Sequence, residues 1–201
     1  MRTRLLLVRH GETEWHAENR YAGTSDVELT ESGLRQAEQL ADYLSARPER
    51  PTALYCSPLS RARRTAEPSA KALDLTIETV DALRETGFGI AEGRLLRELP
   101  ADLAERFRAD PIAGAFPGAE PPDEAAARGA AALRGIAERE NGRLVLVVAH
   151  NTLLRVTLCR LLGIPVGAYR TVFPRLDNGA ITEIWIDGDT TSLRRLNAPV
   201  E

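Results

Sequence analysis

Apolar positions along this chain fall into short runs and helical stripes that alternate. Leu5-Leu6-Leu7-Val8 has no polar face, which suits a parallel strand covered on both sides, and it stops abruptly at Arg9-His10-Gly11. Thr13 to Val27 lacks sustained periodicity and reads as a loop over the strand end. Leu34, Ala37, Leu40, Ala41 and Leu44 then recur at helical spacing behind Thr30, a capping residue, with Glu31 in the first turn and Arg47-Pro48 at the end. Ala53 to Cys56 reads as a second strand. Ser57-Pro58 reads as an N-cap with proline at the first helical position of a helix through about Leu73, kinked by Pro68. A third strand is expected around Leu75 to Thr79.

Leu83 to Gly89 reads as a further loop at the sheet edge, and residues 97 to 109 carry leucine and phenylalanine at helical spacing. Pro111 to Pro122, with four prolines and two glycines, reads as a surface loop or lid. An alanine-rich helix follows from about Asp123 to Glu140. Leu144 to Val148 is the most apolar strand-like run, leads to His150, and precedes a helix from about Thr152 to Leu162. Ala180 to Ile186 and Ser192 to Leu196 form a hairpin pattern around Asp187-Gly188-Asp189. This order predicts an α/β fold, a three-layer α/β/α sandwich with a mostly parallel central sheet. Ligands bind beyond the carboxyl ends of such strands, where His10 and His150 both stand.

Composition narrows the setting. The 201 residues, 43% of them hydrophobic, suit a single domain over 1–201. A formal net charge of −3 gives no electrostatic case for nucleic acid or a membrane surface and favours a small-molecule partner. No stretch approaches the roughly 18 apolar residues of a membrane span, and Met1-Arg2-Thr3-Arg4 leads straight into a strand, so a soluble, cytoplasmic protein is expected. Cys56 and Cys159 read as small buried hydrophobes. No interface stripe stands out, which leaves a homodimer open.

Arg9, His10 and Gly11 at a strand end suggest a phosphate site with an imidazole nucleophile, Gly11 permitting a sharp turn or a close approach. Phosphate calls for arginine, whose planar fork binds two oxygens at once, and Arg9 and Arg61 are the candidates. Arg61 falls early in the second helix, where the dipole favours an anion, although Arg61 to Arg64 also reads as a solvated charge cluster. No metal-ligand spacing accompanies His10, His16 and His150, and nearby arginines repel a cation, so no metal and no cofactor are expected. Nucleotide-binding glycine loops are absent.

Leu7 to Trp15, Leu29-Thr30-Glu31-Ser32-Gly33 with Gln36-Ala37, Ser57 to Ala62 with Thr65-Ala66, Glu85, and Val148-Ala149-His150, in this order, resemble the histidine phosphatase superfamily, phosphoglycerate mutase-like. The resemblance spans about residues 5 to 160. It implies that His10 attacks phosphorus, that Arg9, Arg61 and His150 hold the phosphoryl oxygens, and that Glu85 protonates the leaving oxygen. It also places His16, Gly23, Thr24 and Asn151 as candidate substrate contacts. His16 stands where relatives commonly carry an asparagine, and Asn151 stands where many carry a glycine; Asn151 reads as a cap for the helix at Thr152. Gly118-Ala119-Glu120-Pro121-Pro122 replaces a lid segment of relatives. The expected function is hydrolysis of a small phosphorylated metabolite through a phosphohistidine. A cofactor-dependent phosphoglycerate mutase and a noncatalytic phosphate-binding protein are the alternatives.

Overall fold

The apolar run near the start of the chain becomes the middle of a sheet. In the computed structural model, which describes residues 1–200, the first strand is β1 (Thr3–Arg9). It is followed by α1 (Glu31–Ala46), β2 (Ala53–Cys56), α2 (Ser60–Leu73), β3 (Ile77–Thr79), α3 (Ala101–Ala109) and α4 (Pro122–Arg139). Then come β4 (Leu144–Ala149), α5 (Asn151–Leu161), the short α6 (Tyr169–Val172), β5 (Ile181–Asp187) and β6 (Thr190–Ala198). The strands lie in the order β3-β2-β4-β1-β5-β6. β1, β2, β3 and β4 are parallel, while the hairpin of β5 and β6 adds an antiparallel edge beside β1.

Strand side chains alternate between faces. Leu5 and Leu7 of β1 pack with Val145 and Val147 of β4 against Ala130 and Leu133 of α4 and Leu153 and Val156 of α5. Leu6 and Val8 pack with Leu146 and Val148 against Leu40 and Leu44 of α1 and Ala62 and Ala66 of α2. Helices therefore cover both faces, as the unbroken apolar run demanded. A separate aromatic cluster of Phe107 and Phe116, with Tyr21 and Phe88 against it, forms under the segment after β3.

Local details depart from the sequence pattern in three places. Leu34 is 39% exposed, because the stripe of α1 is completed by Gly33 instead. The second helix begins at Ser60, not at Pro58, and the Ser57 hydroxyl faces His150 while only weakly meeting the Leu59 N–H at 3.3 Å. Asn151 is already helical, and its Oδ1 accepts from the Leu176 N–H at 3.2 Å instead of capping α5. Thr30 does cap α1, accepting from the Gly33 N–H at 3.0 Å.

Candidate active site

Register brings the reactive ends together. Arg9 pairs with Ala149 and Val148 with Cys56, so the next residues on three adjacent strands are His10, His150 and Ser57. The His10 ring centroid is 5.1 Å from that of His150 and 5.9 Å from that of His16. His10 Nδ1 lies 2.7 Å from the Gly11 carbonyl oxygen. A carbonyl only accepts, so Nδ1 carries the proton and Nε2 keeps its lone pair. Burial, then the charges of Arg61 and Arg9, holds the His10 imidazole well below its ordinary pKa, in the neutral, nucleophilic form. Burial and Arg61 do the same to His150, whose Nε2 meets Ser57 Oγ at 2.7 Å and whose Nδ1 has no partner among the described residues.

Arg61 is fully buried, not part of a solvated cluster. Its guanidinium donates to the carbonyls of Ser25 and Gly23, each at 2.7 Å, and of Ala22 at 3.3 Å. The same loop is held from its other side by Glu92, which accepts from the N–H groups of Gly23 and Ser25 at 2.8 Å. Arg9 donates to the Leu176 carbonyl at 2.7 Å, and burial pushes its pKa down to about 10. Neither arginine is ion-paired among the described residues. A fully buried and a partly buried guanidinium without counter-charge are costly unless an anion joins them.

His16 points toward the site. Its Nδ1 accepts from the Thr13 N–H at 2.9 Å, which leaves the proton on Nε2. Nε2 faces Arg9 Nη2 and lies 3.5 Å from Asn178 Nδ2, an amide oriented by its bond to the His10 carbonyl at 2.7 Å. Several N–H groups thus converge on one spot, which an oxyanion would satisfy. Burial, then Arg9, lowers the His16 pKa to about 4, so its ring is neutral as well.

Glu85 is buried at the N-terminus of α5. Its Oε1 accepts from the Leu153 and Thr86 N–H groups at 2.8 Å, and Oε2 from the Thr152 N–H at 3.0 Å. The cap expected of Asn151 is therefore supplied by a distant carboxylate. Arg128 steadies the Glu85 loop by donating to the carbonyls of Ala82 at 2.7 Å and Arg84 at 2.8 Å, while pairing with Glu120.

A cleft of about 360 Å³ opens at this strand end. Arg9, His10, His16, Glu85 and Asn151 line it. Arg61 and His150 are fully buried outside that lining. Gly23 and Thr24 do not line the cleft either: Gly23 serves Arg61 and Glu92 through its backbone, and Thr24 is exposed.

The family profile described as histidine phosphatase superfamily (branch 1) matches residues 5–199. The chain belongs to the histidine phosphatase superfamily. It is 32% identical over 197 residues to phosphoserine phosphatase 1 of Hydrogenobacter thermophilus, covering 96% of this chain and 92% of that one. It is 36% identical over 184 residues to a protein named probable phosphoglycerate mutase GpmB of Salmonella paratyphi C, covering 90% and 83%. Among solved structures, the alpha-ribazole phosphatase from Shigella flexneri superposes with a TM-score of 0.85 at 28% identity, covering 97% of this chain and 96% of that one.

This histidine phosphatase carries cleft residues that sequence patterns did not single out. Trp15, Arg20, Arg155, Tyr169 and Arg170 all line it. Arg155 did leave a signal: it interrupts the apolar sequence Leu153-Leu154-Arg155-Val156 four residues after Asn151, on the same helical face. The supporting roles of Glu92 and Arg128 left none, since each acts through backbone carbonyls or amides far away in sequence.

Proposed function

We propose that this single-domain histidine phosphatase hydrolyses the monoester of a small phosphorylated metabolite through a phosphohistidine on His10. The observation that carries this reading is the His10 ring, whose Nδ1 proton is committed to the Gly11 carbonyl while its neutral Nε2 is free of hydrogen bonds to the described residues. Nε2 attacks phosphorus and the ester P–O bond breaks. Arg9 and His16 donate to phosphoryl oxygens from the cleft side, Arg61 supplies positive potential from behind, and the neutral His150 ring lies beside His10 with its Nε2 at Ser57. Glu85 Oε2, which accepts one N–H against two at Oε1, delivers the proton to the leaving oxygen. The resulting carboxylate then takes a proton from the water that attacks the phosphohistidine, restoring His10 and releasing phosphate.

No helix among the described residues is long and apolar enough to cross a membrane. Both cysteines are buried and free, in the clusters on opposite faces of the sheet, which fits the reducing cytoplasm we propose as its location. A mutase is the second reading, favoured by the similarity to the Salmonella protein. Rapid quench with labelled substrate tests the chemistry. The wild type should carry acid-labile, base-stable phosphate and release inorganic phosphate. Equal labelling of His10→Ala would place the nucleophile elsewhere, and transfer to a second hydroxyl in excess of phosphate release would establish the mutase.

A further inference from the structure

The cleft holds more positive charge than one phosphate monoester requires. Arg9, Arg20, Arg155, Arg170 and Arg175 all line it. Arg20 is paired with Glu18 at 2.6 Å and Glu98 at 3.2 Å, and Arg175 with Asp177 at 2.5 Å. Arg9 belongs to the phosphoryl site beside His10. Arg155 and Arg170 remain, and neither is ion-paired among the described residues.

Arg155 is the more telling of the two. It is only 6% exposed, its Nε donates to the Phe173 carbonyl, and its guanidinium lies 4.8 Å over the Tyr169 ring. Those contacts fix its plane. Nη1 and Nη2 make no hydrogen bond to the described residues, although Arg155 lines the cleft one helical turn beyond Asn151. Glu85, the carboxylate whose charge acts on it, is already committed to three backbone N–H groups. Arg170 stands on the cleft rim with its guanidinium 5.0 Å over the Phe107 ring. A buried, oriented guanidinium with free terminal donors is the arrangement that binds a carboxylate or phosphate through two oxygens.

We propose that Arg155 and Arg170 form a second anion subsite, and that the natural substrate is a phosphate monoester bearing another anionic group, a carboxylate or a further phosphate. The proposal rests on the phosphatase reading of the same cleft. Phosphate goes to His10, and the second anion goes to the Arg155 fork, so the scissile ester oxygen is held near Glu85. A monoester with no second anion leaves both guanidiniums unpaired and gains less on binding.

Three probes with a common three-carbon chain test this: glycerol 3-phosphate, 3-phosphoglycerate with its carboxylate, and propane-1,3-diol bisphosphate. Calorimetric titration uses protein carrying His10→Ala, so that the probes are not consumed. At least one two-anion probe should bind about 10- to 100-fold more tightly than glycerol 3-phosphate, the range for charge-assisted hydrogen bonds. Whichever probe gains more identifies the second group. Adding Arg155→Met should reduce that ratio to about threefold or less, as expected once those bonds are gone. Arg170→Met, at an exposed position, should also lower the ratio and keeps the test decisive if Arg155→Met fails to fold. Equal affinity for the three probes, or a preference that survives both substitutions, overturns the subsite. Hydrolysis of p-nitrophenyl phosphate by the unaltered protein is followed alongside. Its absence would sink the phosphatase reading, while the titrations would still decide whether the second anion is bound.

Discussion

Glu85 has two duties that meet at one carboxylate: it holds the start of α5 through three backbone N–H groups, and in the proposed reaction its Oε2 handles the proton of the leaving oxygen. The second duty matters only when the leaving group needs a proton. An alkoxide does, whereas p-nitrophenolate departs readily without one. In single-turnover experiments Glu85→Gln should slow phosphohistidine formation from an alkyl phosphate by about 10²–10⁴-fold, the usual worth of general acid assistance, and far less from p-nitrophenyl phosphate. Equal slowing with both substrates would reduce Glu85 to the first duty, as a cap. The neighbouring histidines are governed by the same kind of local geometry, since the proton positions on His10 and His16 follow from fixed backbone partners, the Gly11 carbonyl and the Thr13 N–H.

Among elements, the contact between the loop after β1 and the start of α1 sets how His10 is presented. A Cβ placed on Gly33 would stand 2.1 Å from the Glu12 carbonyl oxygen, and one on Gly11 would stand 2.5 Å from the Gly33 carbonyl oxygen. Neither glycine is needed for its dihedral angles; the two backbones simply approach too closely for a side chain. Helix propensity alone would favour alanine at the three α-helical glycines, Gly33 in α1 and Gly129 and Gly135 in α4, but only Gly135 has open space around it. Gly135→Ala should therefore raise stability by about 0.5–1 kcal/mol, and Gly33→Ala should lower it by about 1–3 kcal/mol through overpacking. Urea unfolding measures both. A stabilised Gly33→Ala protein would show that the loop yields easily, against the role given to this contact.

For the whole molecule, three histidines held neutral by burial make stability depend on pH. In the unfolded chain each takes up a proton near pH 6.5. In the folded protein His16 does so only near 4, and His10 and His150 are likewise held well below their ordinary value. Between those limits the unfolded state binds more protons, so stability falls as the pH drops from about 7 toward 4. Thermal unfolding at pH 7.5 and pH 5 should show a lower Tm at pH 5, and the loss should be smaller for His150→Gln. An unchanged Tm difference in that variant would mean that His150 is not held neutral. The same surroundings favour an anion: a phosphate dianion arriving beside His10 and His150 supplies the counter-charge that Arg9 and Arg61 lack within the chain.

The layered fold was legible in the sequence because strand burial and helix stripes are periodic: Leu5 to Val8 had to be covered on both faces, and the buried stripe of α1 is carried by Ala37, Leu40, Ala41 and Leu44 at helical spacing. The order of Arg9, His10, Arg61, Glu85 and His150 likewise pointed to the family that the profile match establishes. Tertiary structure alone decided what those residues touch. Strand register placed Ser57 on His150 rather than at a helix start, Glu85 took the cap that adjacency assigned to Asn151, and the 22–25 loop became a cradle for Arg61. Arg155 needed it most, because its break in the apolar pattern of α5 marks a charge but does not tell a solvated one from a buried one without an acidic partner. Periodicity reports which way a residue faces within its own element, whereas hydrogen-bond partners and counter-charges are supplied by segments tens of residues away, and only the folded chain brings those together.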